Sequence, residues 1–229
     1  MSYKKWSEHP YPGQPTPPKG KQLHEFWPLV FIVRSGTHVF LDSFKRRIKW
    51  KLPHPNQINW ESELVLVQQT LASLTPKQKQ LAEYWGNGIV VEKVTPIIYR
   101  LAEKYNMGAI MLSLVLGYAY AAANDALVMS MYFKYLYDTA RPIQYKLNHS
   151  AVIHTPPSPS YPSGHAAIAG SLQMVLSHFF PKESANIKRV MEECAQSRLY
   201  AGVHFKADIE AGLNLGKQIG EIVIQQVKI

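Results

Sequence analysis

This sequence predicts an all-α fold, a helical bundle packed around one core. Three observations carry the prediction. Helical apolar periodicity persists from Asn59 almost to the end of the chain, no strand-helix alternation suggests a parallel sheet, and nothing repeats internally. A chain of 229 residues, 46% hydrophobic and 18% charged, is long and apolar enough to bury one substantial core.

Residues 1–25 carry Pro10, Pro12, Pro15, Pro17 and Pro18 with little apolar content, so an extended Pro/Lys-rich arm is expected, mobile or wrapped on the surface. Residues 26–229 then form a single helical domain. From Phe26 to Trp50 the apolar runs WPLVFIV and HVFL flank Ser35-Gly36, a pattern for a short hairpin or for extended packing segments. Asn59 caps a helix through Ser73 with Leu64, Val65, Val67 and Leu71 inward, and Thr75-Pro76 supplies cap and first-turn proline for a helix ending near Gly86. Thr95-Pro96 repeats the device and predicts a helix opening there and running to Asn106. A long apolar helix is expected from Gly108 to Ala140, stopped by Pro142. A proline-rich loop follows, then helices over 164–180, 183–201 and 204–227.

Net charge is 25 − 16 = +9, yet only Lys45-Arg46-Arg47 forms a tight basic run, with no aromatic-interleaved ribbon beside it, so no nucleic-acid partner is expected. Cys194 is the single cysteine, which excludes an intramolecular disulfide and reads as a buried inert thiol. The N-terminus lacks the apolar core of a secretory signal, which points to a cytoplasmic protein. The uncharged stretch Asn106 to Asn124 approaches the length of a membrane span but runs on into Asp125 and Lys134, so no transmembrane span is expected. A homodimer is compatible with the sequence.

Three segments carry chemistry. Lys134 and Arg141 stand seven residues apart, two turns of the expected helix, so both cations point one way. A solvated basic stripe paired with Asp138 would look the same. Ser163-Gly164-His165 enters a helix whose first N–H groups and dipole favour an anion, while glycine permits close backbone approach; an ordinary serine cap is the plain alternative. Ser197-Arg198 ends the next helix, and His204 precedes Asp208 by one turn, so the carboxylate can hold one imidazole nitrogen protonated and leave the other facing a site. A satisfied surface pair is again possible, as is a zinc site, although further ligands are lacking and nearby cations would repel the metal.

Together, K-x6-RP at Lys134 to Pro142, PSGH at Pro162 to His165 and SR-x5-H-x3-D at Ser197 to Asp208 match the three-part signature of the superfamily of vanadium-dependent haloperoxidases, class A acid phosphatases and type 2 phosphatidic acid phosphatases. The resemblance covers Asn59 to Gly220, and its framing segments LTPKQKQLAEYW and SRLYAGVHFKADIEAGLNLG look like the soluble bacterial haloperoxidase-like branch.

That resemblance implies that Lys134, Arg141, Ser163, Gly164 and Arg198 hold a phosphate or vanadate. In a phosphatase, which needs no cofactor, His204 attacks phosphorus to form a phosphohistidine, Asp208 orients it and His165 serves as acid and base. In a haloperoxidase, His204 ligates the vanadium of vanadate, the substrates being halide and peroxide. Some chloroperoxidases of the family carry an aromatic and a tryptophan where this chain has Ser158 and Met131, which favours hydrolysis of a small phosphate ester. A non-catalytic anion or nucleic-acid binder is a third reading, with no use for both histidines and Asp208. Among other residues, His149, His154 and His178 read as loop, surface or helix-packing histidines, with His154 close enough in sequence to line the mouth of the site, Tyr132, Tyr135 and Tyr137 as core and rim aromatics, and Asp125 as having a structural hydrogen-bonding role.

Overall fold

A computed structural model describes residues 3–20, 26–145, 147 and 150–227. His149 lies outside the described residues.

Two helices whose backbones touch set the geometry of the site. Helix α5 (Gly164–Phe179) lies against α7 (Lys206–Ile224), and the contact on α7 is a row of glycines four residues apart. A Cβ added at Gly216 would stand 2.0 Å from the Ala167 carbonyl oxygen, and one at Gly212 would stand 2.4 Å from that of Ser163. Only hydrogen fits at either position. The close approach brings the start of α5, which carries Ser163 and Gly164, against the start of α7, which carries Asp208. Gly216→Ala is accordingly expected to destabilise the fold by about 1–3 kcal/mol, the usual range for overpacking, seen as a lowered midpoint in urea unfolding.

Around α5, helix α4 (Ala109–Tyr137) and helix α6 (Ser184–Tyr200) complete the bundle, so that Ala166 to Leu172 on α5 are all buried. Cys194 on α6 is fully buried, and burial pushes its thiol up to about 12, which suits an inert packing residue. Helices α1 (Trp60–Ala72) and α2 (Pro76–Gly86) begin as expected: Asn59 Oδ1 accepts from Ser62 N at 3.2 Å, and Thr75 and Gln78 exchange capping hydrogen bonds. The hairpin also forms, with β1 (Val33–Gly36) antiparallel to β2 (Val39–Leu41). Asp125 accepts the Val30 and Phe31 N–H groups, both at 2.8 Å, tying this segment to α4.

The expected helix start at Thr95-Pro96 is wrong. Helix α3 spans Val90–Lys104 with Pro96 inside it. Val90, Val94, Ile98 and Leu101 are buried along one stripe, and packing that stripe outweighs the hydrogen bond the proline forfeits.

The expected end of α4 is also wrong, and this bears on the site. The helix stops at Tyr137, where Asp138 turns left-handed at φ 54° and its N–H bonds the Lys134 carbonyl at 2.8 Å. Asp138 can leave the helix because the N-terminal segment rewards it: its carboxylate accepts from Ser7 N and Oγ, and Lys5 bridges Thr139. The same segment buries Trp6 and Tyr11, and Gln144 donates to the Trp6 and His9 carbonyls at 2.9 and 2.6 Å. Arg141 therefore stands outside the helix, just before a 3-10 turn at Pro142–Tyr145, and shares no helical face with Lys134. Asp138, a possible surface partner of the cations by sequence, belongs to this seam instead.

Candidate active site

Five ionisable residues marked by the sequence motifs converge. Lys134, Arg141, Arg198, His204 and Asp208 are each less than 5% exposed, although they come from α4, the loop after it, α6 and the start of α7. Charged side chains are rarely this buried without partners, so where their donors go decides what the site can hold.

Lys134 Nζ donates to the Pro159 and Ser160 carbonyls at 2.6 and 2.7 Å, leaving one of its three protons. Arg141 is held more tightly. Its Nε donates to the Ser158 carbonyl at 2.7 Å, Nη2 to Ser158 Oγ at 3.1 Å, and Nη1 to the Val203 carbonyl at 2.8 Å, with Nη1 also 3.3 Å from His204 Nε2. Arg198 is fixed by Nε to Ser197 Oγ at 3.0 Å and Nη2 to the Ala82 carbonyl at 2.9 Å, which leaves guanidinium donors over. Neutral carbonyls and hydroxyls orient all three cations without cancelling their charge.

Asp208 is committed elsewhere. Its Oδ2 accepts from Ser160 Oγ at 2.5 Å and from Phe205 N at 2.9 Å, and lies 2.9 Å from His204 Nδ1. His204 stands just before α7 rather than opening it, with Phe205 as the cap residue and Asp208 in the first turn. The left-handed Gly202 at φ 71° makes the turn that delivers it there. Ser163 caps α5, its Oγ accepting from Ala166 N at 3.4 Å with its own proton to spare, and its N–H donates to the Asp208 carbonyl at 2.9 Å. His165, half-buried in the first turn of α5, places Nε2 at 3.1 Å from the Trp85 carbonyl.

Electrostatics follow from this surplus of buried positive charge. Burial, then Arg141, Lys134 and Arg198, hold the His204 imidazole well below its usual range. Burial, then Arg198, bring His165 down to about 3. Asp208 is pushed up by burial to about 6, against the opposing pull of Ser160 and Lys134, so it is a carboxylate at neutral pH. Lys134 is lowered by burial and by Arg141, and Arg198 by burial to about 10. At neutral pH both imidazoles are therefore neutral. With Nδ1–H given to Asp208, the Nε2 lone pair of His204 points toward the cations.

Several residues of the site carried no sequence signal. Ser158, noted only as a position where some chloroperoxidases have an aromatic, clamps Arg141 through both its carbonyl and its hydroxyl. Ser160 holds Asp208, and the Pro159, Val203, Ala82 and Trp85 carbonyls orient cations or imidazole. Backbone acceptors leave no trace in a side-chain pattern. Tyr11 lies against Arg141, although the first 25 residues carry no recognisable motif.

The family described as PAP2 superfamily matches residues 112–228. A non-specific acid phosphatase of Salmonella typhi is 40% identical over 57 residues, 25% of this chain and 23% of that protein. An apo-type bacterial vanadium-dependent chloroperoxidase superposes with TM-score 0.71 at 15% identity, covering 89% of this chain and 55% of that one. A transmembrane PAP2 type phosphatidylglycerolphosphate phosphatase from Bacillus subtilis superposes with TM-score 0.55 at 17% identity, covering 72% and 84%. The chain thus spans about half the length of the chloroperoxidase and under a quarter of the acid phosphatase.

The expectation of no transmembrane span does not stand. One neighbour of the same fold is transmembrane, and α4 is by length and composition long and apolar enough to cross a membrane, with 33% of its most apolar window buried inside the molecule. Reading on into Asp125 and Lys134 did not exclude a span, because both lie in the half of α4 that packs inward. With just over half of its length matched, and with all three motif segments lying inside the match, this chain belongs to the PAP2 superfamily.

Proposed function

We propose that the chain hydrolyses phosphate monoesters through a phosphohistidine at His204. The observation that supports this reading is three buried cations around one neutral, carboxylate-backed imidazole. Such a cradle favours a tetrahedral dianion and gains further as charge builds on five-coordinate phosphorus.

Lys134, Arg141 and Arg198, with Ser163 Oγ and the Gly164 amide at the start of α5, hold the non-bridging oxygens. His204 Nε2 attacks phosphorus opposite the leaving oxygen; the N–P bond forms as the P–O ester bond breaks. Asp208 keeps the Nδ1 proton in place and stabilises the positive imidazole. His165 supplies a proton to the leaving oxygen, then removes one from the water that hydrolyses the phosphohistidine, which restores both histidines. A bound dianion raises both imidazoles from their depressed values, so substrate itself brings His165 toward the protonated form it needs.

A second reading, vanadate-dependent halide oxidation, draws on the likeness in fold to a vanadium-dependent chloroperoxidase. The donor set suits vanadate as well as phosphate, because both are tetrahedral oxyanions and Lys134, Arg141, Ser163, Gly164, Arg198 and His204 offer the same cations, N–H groups and free imidazole nitrogen. When bound, vanadate supplies the activation of peroxide. Ser158 argues against this reading, since the residue that would help to line an apolar halide niche is occupied in holding Arg141.

Purified without added metal, the protein is assayed for p-nitrophenyl phosphate hydrolysis in chelator and, after vanadate loading, for halide oxidation by peroxide. Hydrolysis in chelator is the expected result; oxidation with vanadate and no hydrolysis would reverse the order of the two readings. Inorganic phosphate is also expected to stabilise the fold. At a hundredfold excess over its dissociation constant the gain is about 2.7 kcal/mol, a rise in Tm of about 5–10 °C for a chain of this size, read by differential scanning fluorimetry.

A further inference from the structure

Beside the cradle lies a cleft of about 460 Å³ that the motifs do not mark. One wall is the N-terminal segment, through Tyr11 and Pro12; the other is the stretch that includes Ile143, Ile153, His154 and Thr155. Two of its lining residues, Tyr11 and Ile153, reach toward the residues discussed above. The Tyr11 hydroxyl accepts from Trp6 Nε1 at 2.9 Å, donates to the Pro156 carbonyl at 2.8 Å and lies against the Arg141 guanidinium. Ile153 reaches the other side: a Cβ at Gly86 would stand 3.1 Å from Ile153 Cδ1 and 3.5 Å from Arg198 Nη1, so the isoleucine and that guanidinium flank one spot. His165 Nε2 lies 3.1 Å from the carbonyl of Trp85, the residue before Gly86. Arg141 and Arg198 do not line the cleft themselves; Tyr11 and Ile153 connect it to them.

We propose that this cleft receives the leaving group of the ester, with Tyr11 and Ile153 as its specificity-determining walls; the proposal rests on the phosphatase reading. Its chemistry indicates the substrate class. Among the described residues lining it none is Asp, Glu, Lys or Arg; Tyr11, Pro12, Ile143 and Ile153 supply aromatic and aliphatic surface, interspersed with polar side chains such as His154 and Thr155. Such walls suit a phosphomonoester of an uncharged alcohol with an apolar or aromatic face, and reject a leaving group that carries a carboxylate or a second phosphate, which would be stripped of water without a countercharge. The N-terminal segment then helps to build the active site rather than serving as a tether. Its pinning by Gln144, Asp138 and Thr139 fixes the position of Tyr11.

The test compares phenyl phosphate with methyl phosphate as substrates of the full chain, its Tyr11→Ala and Tyr11→Phe variants, and Ile153→Ala on the opposite wall. Tyr11→Ala and Ile153→Ala are each expected to raise KM for phenyl phosphate about tenfold relative to the change for methyl phosphate, the loss that follows from removing apolar contact worth about 1.4 kcal/mol. Tyr11→Phe, which keeps the wall, is expected to retain most of the preference for phenyl phosphate. If either alanine variant changes both esters by the same factor, or neither ester, the leaving group does not sit here. Should one alanine variant fail to fold, the other decides the question. A wild-type chain that hydrolyses neither ester removes the phosphatase reading and this assignment with it. One that hydrolyses both esters, with unselective variants, removes the assignment alone.

Discussion

His204→Ala is expected to lower kcat for p-nitrophenyl phosphate by about 10³-fold or more, while inorganic phosphate continues to raise the melting temperature. Losses of that order follow removal of a nucleophile when the rest of a site survives. The rest survives here because neutral groups orient the cations: Lys134 by the Pro159 and Ser160 carbonyls, Arg141 by Ser158 and Val203, Arg198 by Ser197 and Ala82. Arg141 loses its 3.3 Å contact with His204 Nε2 but keeps its bonds to Ser158 and Val203, and neither Lys134 nor Arg198 is held by His204. Asp208 loses its imidazole but keeps Ser160 Oγ and the Phe205 N–H, so its carboxylate is not stranded. His165→Ala makes a useful contrast, since it removes proton transfer and leaves the attacking nitrogen in place. Steady-state kinetics and fluorimetry on the same preparations separate the two effects. A His204→Ala protein that retains full activity contradicts the mechanism.

The second large effect is expected at Arg141, where function and stability oppose each other. Arg141→Ala removes a cation from the cradle, and losing one such donor typically costs about 10²–10³ in kcat. The Ser158 and Val203 carbonyls lose their donors, which costs about 1–3 kcal/mol for each one left dry. Against that, a buried guanidinium with no carboxylate of its own is removed, together with its repulsion of Lys134 and Arg198. Catalysis should therefore fall much further than the anion-free fold is destabilised. A chemical denaturation curve alongside kcat and KM reads both, and a variant that unfolds while its folded fraction turns over normally would contradict the role given to Arg141.

The parts of this molecule that were legible in the sequence are those written in side chains at short spacing. Asn59 and Thr75 announce helix starts because a cap is a local device, and the three motifs name Lys134, Ser163, Arg198, His204 and Asp208 because each segment carries its own pattern. Pro96 misled because proline signals a helix start only when no buried stripe overrides it, and the stripe through Val90 and Val94 begins upstream. Arg141 shows how a correct convergence can be expected for a wrong reason. Seven residues of ideal helix would place it beside Lys134, but the chain leaves the helix at Asp138, and the loop brings the guanidinium back. That exit depends on Ser7 and Lys5, more than 130 residues away, which no local pattern encodes. The contact of α5 with α7 is similarly hidden, since Gly212 and Gly216 become intelligible only once their partners Ser163 and Ala167 are known. The membrane question failed for a related reason: charge within a helix says little until the direction it faces is seen.

Diffraction from crystals soaked in inorganic phosphate tests the central claim most directly. The account predicts one tetrahedral ion within hydrogen-bond reach of Lys134, Arg141, Ser163, Gly164 and Arg198, with His204 Nε2 facing its centre. Crystals saturated with phosphate in which those cations bind no anion, or in which the ion sits on a different face of the bundle, would contradict it.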